Sequence, residues 1–328
     1  MNPQVTIIIP VYNVSAYIEK CAHSLFSQTM HEVEFIFVND ASTDDSILKL
    51  EKTIALFPEI INKVQIIQNE QNVGPAISRN KALDYAKGDY ILVVDSDDFI
   101  DSDMVETMYN EAIISNADIV ACDMLIEFAH KSIYFSDYVP ENASEFFPNM
   151  LTNIKSTPSL CNKLIKRSLY LREQCRSTTN AKYIEDKYVS ACLYYYATKI
   201  TKVNRPFYHY IKHNPDSTTY SFNQTHFESL VLFWQKMDEF LLTNNLTEKY
   251  AQLVSITKVR DKVNLLFKTD SYKIRKQFSA IFSREELENF KHLKFGEKLM
   301  VFLVRKKLFI FTSLLRNLIQ LKTKYSSN

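Results

Sequence analysis

Glycine is nearly absent: the 328 residues hold three, Gly74, Gly88 and Gly296. No glycine-rich phosphate loop can be built from them, which excludes both the P-loop and the dinucleotide fingerprint. A nucleotide would have to be held some other way. The cysteines are five in number (Cys21, Cys122, Cys161, Cys175, Cys192), and none forms a C-x-x-C pair. An odd count without metal spacing argues for reduced thiols in a cytosolic protein and against zinc. An excess of one charge is lacking too. Lysine and arginine total 39 against 38 acids, a net +1, so composition makes no case for nucleic acid as a partner. No apolar run reaches the length of a membrane span, and those near the C-terminus are broken by Arg305, Lys306 and Lys307. The run at residues 5–10 is too short for a signal peptide and no basic stretch precedes it, so none is expected.

What is present is an ordinary globular mixture, 46% hydrophobic and 23% charged, with room for one large domain or a domain plus an appendage. The chain is organised around residues 91–98, Ile-Leu-Val-Val-Asp-Ser-Asp-Asp. The apolar run reads as a strand covered on both faces, and Asp95, Asp97 and Asp98 fall where it ends. In an open α/β sheet that edge is where ligands bind. Crowded carboxylates repel one another unless a cation or donors sit among them. An i, i+2 pair can offer oxygens to Mg2+ or Mn2+, with phosphate filling the other positions. A solvated acidic turn would show the same letters. An EF-hand loop starting at Asp95 is disfavoured by Ile100, where that loop needs glycine.

Strands are expected at residues 5–10, 33–38, 64–68 and 90–94. Helices are expected at 16–26, from a Ser42–Asp45 capping box to about 57, and from Gly74-Pro75 to about 87. This alternation predicts a mostly parallel, doubly wound α/β sheet. Pro10–Asn13, Asn39-Asp40 and the acids then meet on one rim of it. Beyond lie a helix at 101–115, a strand at 119–123, a hairpin at 125–128 and 133–135, and helices at 145–153 and 188–197. A strand at 203–210 is assigned to a sheet edge because of Pro206. From residue 225 the pattern is helical, with Phe233, Trp234, Met237 and Phe240 spaced as core.

In order along residues 5–220 stand Ile-Pro-Val-Tyr-Asn (9–13), Val-Asn-Asp-Ala-Ser-Thr-Asp (38–44) and Asn-Val-Gly-Pro-Ala-Ile-Ser-Arg-Asn (72–80). They are followed by Asp95–Asp98, Cys-Asn-Lys-Leu (161–164), Glu185-Asp186, and Phe-Tyr-His-Tyr (207–210) with Ser217. This ordered set resembles the bacterial family 2 glycosyltransferases of capsular or O-antigen polysaccharide synthesis. Asn39 and Ala41 depart from the family's usual Asp and Gly, and Ala41 implies a turn needing no positive φ. Ser78 stands where Ala is usual. The resemblance implies a GT-A, Rossmann-like fold with helices on both faces. A catalytic domain would span residues 1–222, its nucleotide-sugar half to about 98 and its acceptor half over 99–222, with a helical region at 223–328. It further implies a metal-dependent, inverting enzyme. Such an enzyme moves a hexose or N-acetylhexosamine from a UDP-sugar to a saccharide or lipid-linked saccharide in cell-surface polysaccharide or lipopolysaccharide synthesis. A non-catalytic sugar-nucleotide or glycan-binding relative is the alternative, and intact Asp40, Asp97 and Asp186 argue against it. A nucleotidyltransferase would need a glycine-rich basic loop where this chain has Val-Tyr-Asn.

By the same resemblance, Pro10, Val11 and Tyr12 line a uracil pocket, Asp40 bonds the base or ribose, and Arg79 and Ser96 belong to the nucleotide site. Asp97 is the direct ligand of Mn2+ or Mg2+, and Asp95 contacts the ribose, or the metal through water. Asp98 caps the segment near Phe99. Asp186, in preference to Glu185, is the base for the acceptor hydroxyl. His209, Lys212 and His213 are candidates for the diphosphate, and Asn162-Lys163 has no assigned role. The plain alternatives are a turn-former for Asp40, an acid-paired helix arginine for Arg79, and an acidic first helical turn for Glu185-Asp186. The tail, residues 290–325, mixes apolar residues with nine lysines and arginines, and Glu297 is its only acid. That composition suits an amphipathic helix on anionic lipid, at the inner face of the plasma membrane. A packed basic hairpin or a homodimer face would look the same.

Overall fold

The computed structural model describes residues 3–152, 156–177, 184–212, 224–269, 271–309, 311–312 and 314–315. The chain divides into two compact units, Met1–Ser217 and Thr218–Asn328. In the first, β1 (Val5–Val11), β2 (Val33–Asn39), β3 (Val64–Gln68) and β4 (Tyr90–Val93) alternate with α1 (Ile18–Phe26), α2 (Ser46–Ala55) and α3 (Pro75–Leu83). There follow β5 (Phe99–Ile100), α4 (Met104–Ser115), β6 (Ile119–Phe128), β7 (Lys131–Phe135), α5 (Phe146–Thr152), β8 (Lys163–Lys166), α6 (Arg167–Tyr170), α7 (Glu185–Tyr196) and β9 (Ile200–Ile211).

The sheet runs β3-β2-β1-β4-β8-β6-β9-β5, with β7 beside β6. Strands β1, β2, β3, β4, β6 and β9 point one way, while β5, β7 and β8 oppose them, so the sheet is mostly parallel as expected. The central strands β1 and β4 are buried along their whole length, which is what their unbroken apolar runs require. Edge strand β3 is only half-buried.

Two of the glycines are explained by geometry. Gly74 has φ +89° and precedes α3. A Cβ on Gly88 would meet Thr6 N at 2.5 Å and Val5 C at 2.6 Å, backbone atoms of β1. Gly88→Ala must therefore push β4's approach away from β1, and a loss of about 1–3 kcal/mol is expected in a denaturant titration. An unchanged midpoint would contradict that packing.

Several expectations are corrected. Ala41 has φ 59°, so the turn does need the left-handed region, and the chain meets it without glycine. The Ser42–Asp45 capping box does not form. Asp44 instead accepts from Ser46 N at 3.0 Å and Ser15 N at 2.9 Å, tying the start of α2 to the segment after β1. Strand β6 is continuous through 119–128 and carries the hairpin to β7. Strand β9 lies between β6 and β5, not on an edge. Pro206 is tolerated because it falls in the break of the β6–β9 ladder between Val203 and Tyr208, where no N–H is needed. Helix α7 starts at Glu185, so Asp186 lies in its first turn.

The second unit contains α8 (Gln224–Thr243), α9 (Thr247–Lys268), α10 (Tyr272–Phe278), α11 (Ser283–Asn289) and α12 (Phe295–Arg305). Phe233, Trp234, Met237 and Phe240 are buried core. Met300, Val301, Leu303 and Val304 of α12 are also buried, with Val301 packed on Val259, Val263 and Leu293. Buried Arg275 donates to Phe309 O at 3.1 Å, anchoring the chain beyond α12. No described helix is long and apolar enough to cross a membrane.

Candidate active site

The C-terminal ends of the parallel strands β1, β2 and β4 form one rim, which carries Pro10–Asn13, Asn39-Asp40 and Asp95–Asp98. The turn after β4 is held rigidly. Asp98 is 1% exposed, and its carboxyl accepts from Tyr208 Oη and Ile211 N, both at 2.7 Å. Tyr208 Oη in turn accepts from Asp95 N at 3.1 Å. Asp98 thus fastens the turn to β9 instead of capping the segment near Phe99. Burial, then the charges of Asp97 and Asp95, push its carboxyl well above the usual range. Tyr208 belongs to the aromatic stretch legible in the sequence, but its bridging role was not.

Asp95 and Asp97 remain half-buried at the mouth of this turn. Among the described residues no three His, Cys, Asp or Glu side chains gather into a metal cage. Two hard carboxylates beside a diphosphate are nonetheless what Mg2+ or Mn2+ takes, since such ions rarely have an all-protein shell. The negative field that raises Asp98 fits the same demand.

Arg79 on α3 joins two of the predicted residues. One guanidinium nitrogen donates to Asp186 Oδ1, and the other lies 3.1 Å from Asp95 Oδ1. The first turn of α7 is thereby tied to the end of β4. Ile184, just before α7, has φ 57°, an uncommon conformation for a β-branched residue and of the kind found at functional sites. Burial raises the Asp186 carboxyl, Arg79 pulls it back down, and Asp95 raises it again; the net shift is upward. The Leu160 backbone N–H also donates to it. Arg79 and Asp186 line a small pocket together with apolar Ile8, Ala76, Val93 and Val189 and with Tyr170. The side chain of Glu185 lies outside the described residues.

The other predicted residues divide. Tyr12 is 46% exposed at the rim, while Pro10 is buried and Val11 belongs to the core, so Val11 can offer a pocket only its backbone. Ser96 is buried. Asp40 is buried and already accepts from Val73 N at 2.9 Å, Gly74 N at 2.7 Å and Asn69 Nδ2 at 2.8 Å. Its carboxylate therefore shapes the loop leading into α3. The His209 side chain is held between protein groups. Its ring stacks on Phe99, and its two nitrogens lie 2.8 Å from Glu127 and 3.0 Å from Asp101. Lys212 is exposed, and its Nζ lies 5.5 Å from the Tyr210 ring centroid. His213 and Ser217 lie outside the described residues.

Residues 6–174, about half the chain, match the profile of Glycosyl transferase family 2. The chain is 30% identical over 255 residues to the putative glycosyltransferase EpsH of Bacillus subtilis, covering 76% of this chain and 72% of that protein. It is 32% identical over 222 residues to the glycosyltransferase GlyA of Streptococcus pneumoniae, 64% of this chain but 31% of that one. Among solved structures, S. aureus TarS residues 1–349 in complex with UDP superposes with TM-score 0.69 at 20% identity, covering 98% of this chain and 92% of that one. By the span of the profile and the likeness to EpsH, the chain belongs to glycosyl transferase family 2.

Proposed function

We propose that the chain transfers a hexose or N-acetylhexosamine from a UDP-sugar to a saccharide hydroxyl, with inversion, in cell-surface polysaccharide synthesis. One observation carries the reading: Arg79 joins Asp186 on α7 to Asp95 at the end of β4, putting a carboxyl with a raised pKa beside the acidic rim. TarS has been solved with UDP and with UDP-GlcNAc, which supports a uridine donor. Tyr12 offers the uracil an exposed ring. Asp95, Ser96 and Arg79 face the ribose and diphosphate. Asp97, with Asp95, would hold a divalent ion, which supplies positive charge to the departing diphosphate. In the transfer, the acceptor oxygen forms a bond to the anomeric carbon as that carbon's bond to the phosphate oxygen breaks. The acceptor's proton passes to Asp186, and UDP leaves. The nucleotide-sugar half ends near residue 98, and residues 99–222 receive the acceptor. The test is UDP release from a panel of UDP-sugars with saccharide acceptors. Release with one of them is expected, and none with any nucleotide-sugar would overturn the reading.

We further propose that the second unit meets anionic lipid at the cytoplasmic face of the membrane. Phe295, Phe302 and Phe311 are 82%, 48% and 53% exposed, interspersed with exposed Lys294, Arg305, Lys306 and Lys307. Co-sedimentation with phosphatidylglycerol vesicles at low salt, lost at high salt, is the expected result. Failure to sediment at low salt would contradict it.

A further inference from the structure

The Asn162-Lys163 pair lies where its neighbours act on the start of α7. Lys163 is fully buried, and its ammonium reaches four oxygens: Asp137 Oδ2 at 3.1 Å, Asn162 Oδ1 at 2.8 Å, Thr157 O at 3.0 Å and Ser159 O at 2.7 Å. The last two are backbone carbonyls of one short segment, 157–160. Asp137 grips the same segment by accepting from Thr157 N at 2.8 Å. Asn162 donates to Asp137 Oδ2 at 3.0 Å and to Cys122 O of β6 at 2.7 Å, fastening the cluster to the sheet.

The opposite side of the segment touches α7 at two points. Ser190 Oγ donates to Pro158 O at 2.7 Å, and Leu160 N–H donates to the Asp186 carboxyl. Asp186 and Ser190 are four residues apart, hence neighbours on one helical face. The segment is thus a bracket between the buried ammonium and the helix that carries the base.

We propose that Lys163 is a positioning residue for catalysis: through segment 157–160 it sets the place of Asp186. This rests on the reading of Asp186 as the base. A buried ammonium suits the task because its N–H groups converge on carbonyls that would otherwise be orphaned away from water. Displacing a base by about 1 Å is enough to cost turnover roughly a hundredfold without touching the donor site.

Lys163→Met alone would leave the Asp137 charge buried and unpaired, which destabilises the fold itself. The test therefore uses Ser190→Ala, which cuts one tether without a charge change, and the paired Lys163→Met with Asp137→Asn. In folded variants, UDP affinity is expected to match the parent, while kcat for UDP release falls on the order of tenfold or more. The acid limb of kcat should also move to higher pH, because the Leu160 donor holds the Asp186 carboxyl down. Arg79, Asp95 and Tyr170, the other ionisable groups that act on Asp186, are left in place. Lower stability with unchanged kcat and acid limb, in a protein that Asp186→Asn inactivates, would overturn the positioning role. Full turnover in Asp186→Asn would instead remove the base reading beneath it. If the paired variant does not fold, Ser190→Ala decides.

Discussion

Asp186→Asn is expected to lower turnover by on the order of a hundredfold or more while leaving UDP affinity nearly unchanged. The amide keeps the side chain's shape and can still accept from Arg79, but it cannot take the acceptor's proton. The same residue sets a pH dependence. Burial raises its carboxyl, Arg79 offsets part of that, and Asp95 adds to it. A base works only when deprotonated, so kcat should fall as pH drops through a value above the ordinary aspartate range. Asp186→Asn should flatten that acid limb. Near-parental turnover in the variant, or an acid limb that survives it, would remove Asp186 from the reaction.

Arg79→Ala should lower kcat/KM by roughly a hundredfold or more, through both terms. Arg79 compensates two carboxylates at once, on α3's approach to β4 and to α7. Without it, Asp186 loses the positive charge that holds its carboxyl down and shifts further up. The rim also loses a cation for the donor's phosphates. Arg79→Lys should restore activity only in part, because a point charge cannot fork to two acids as a guanidinium does. Full activity in Arg79→Lys would show that charge alone, without the fork, is what the site requires.

The sequence made the sheet and its rim legible because both are local: an apolar run buried on both faces is also a run in the letters, and so are the residues at its end. Asp95 and Asp97 were singled out on that basis, whereas Arg79 and Asp186, which lie on helices, were singled out only through the resemblance to family 2 glycosyltransferases. Their pairing was not legible, since Arg79 and Asp186 are brought together by α3 and α7 across 107 positions. The left-handed Ala41, the loop contacts of Asp40 and the acid-flanked His209 escaped for the same reason. Each depends on what tertiary neighbours do, not on the residue's own preference. Pro206 misled in the opposite sense. Its missing donor suggested an edge, but a break in the ladder accommodates it inside the sheet.

The central claim is that the rim after β4 binds a uridine diphosphate with the help of a metal on Asp97. Calorimetric titration of UDP with Mn2+, with chelator, and into Asp97→Ala tests it most directly. Binding that needs Mn2+ and is lost in Asp97→Ala is the predicted result. Absence of binding under every condition, or equal affinity in chelator and in the variant, would contradict it.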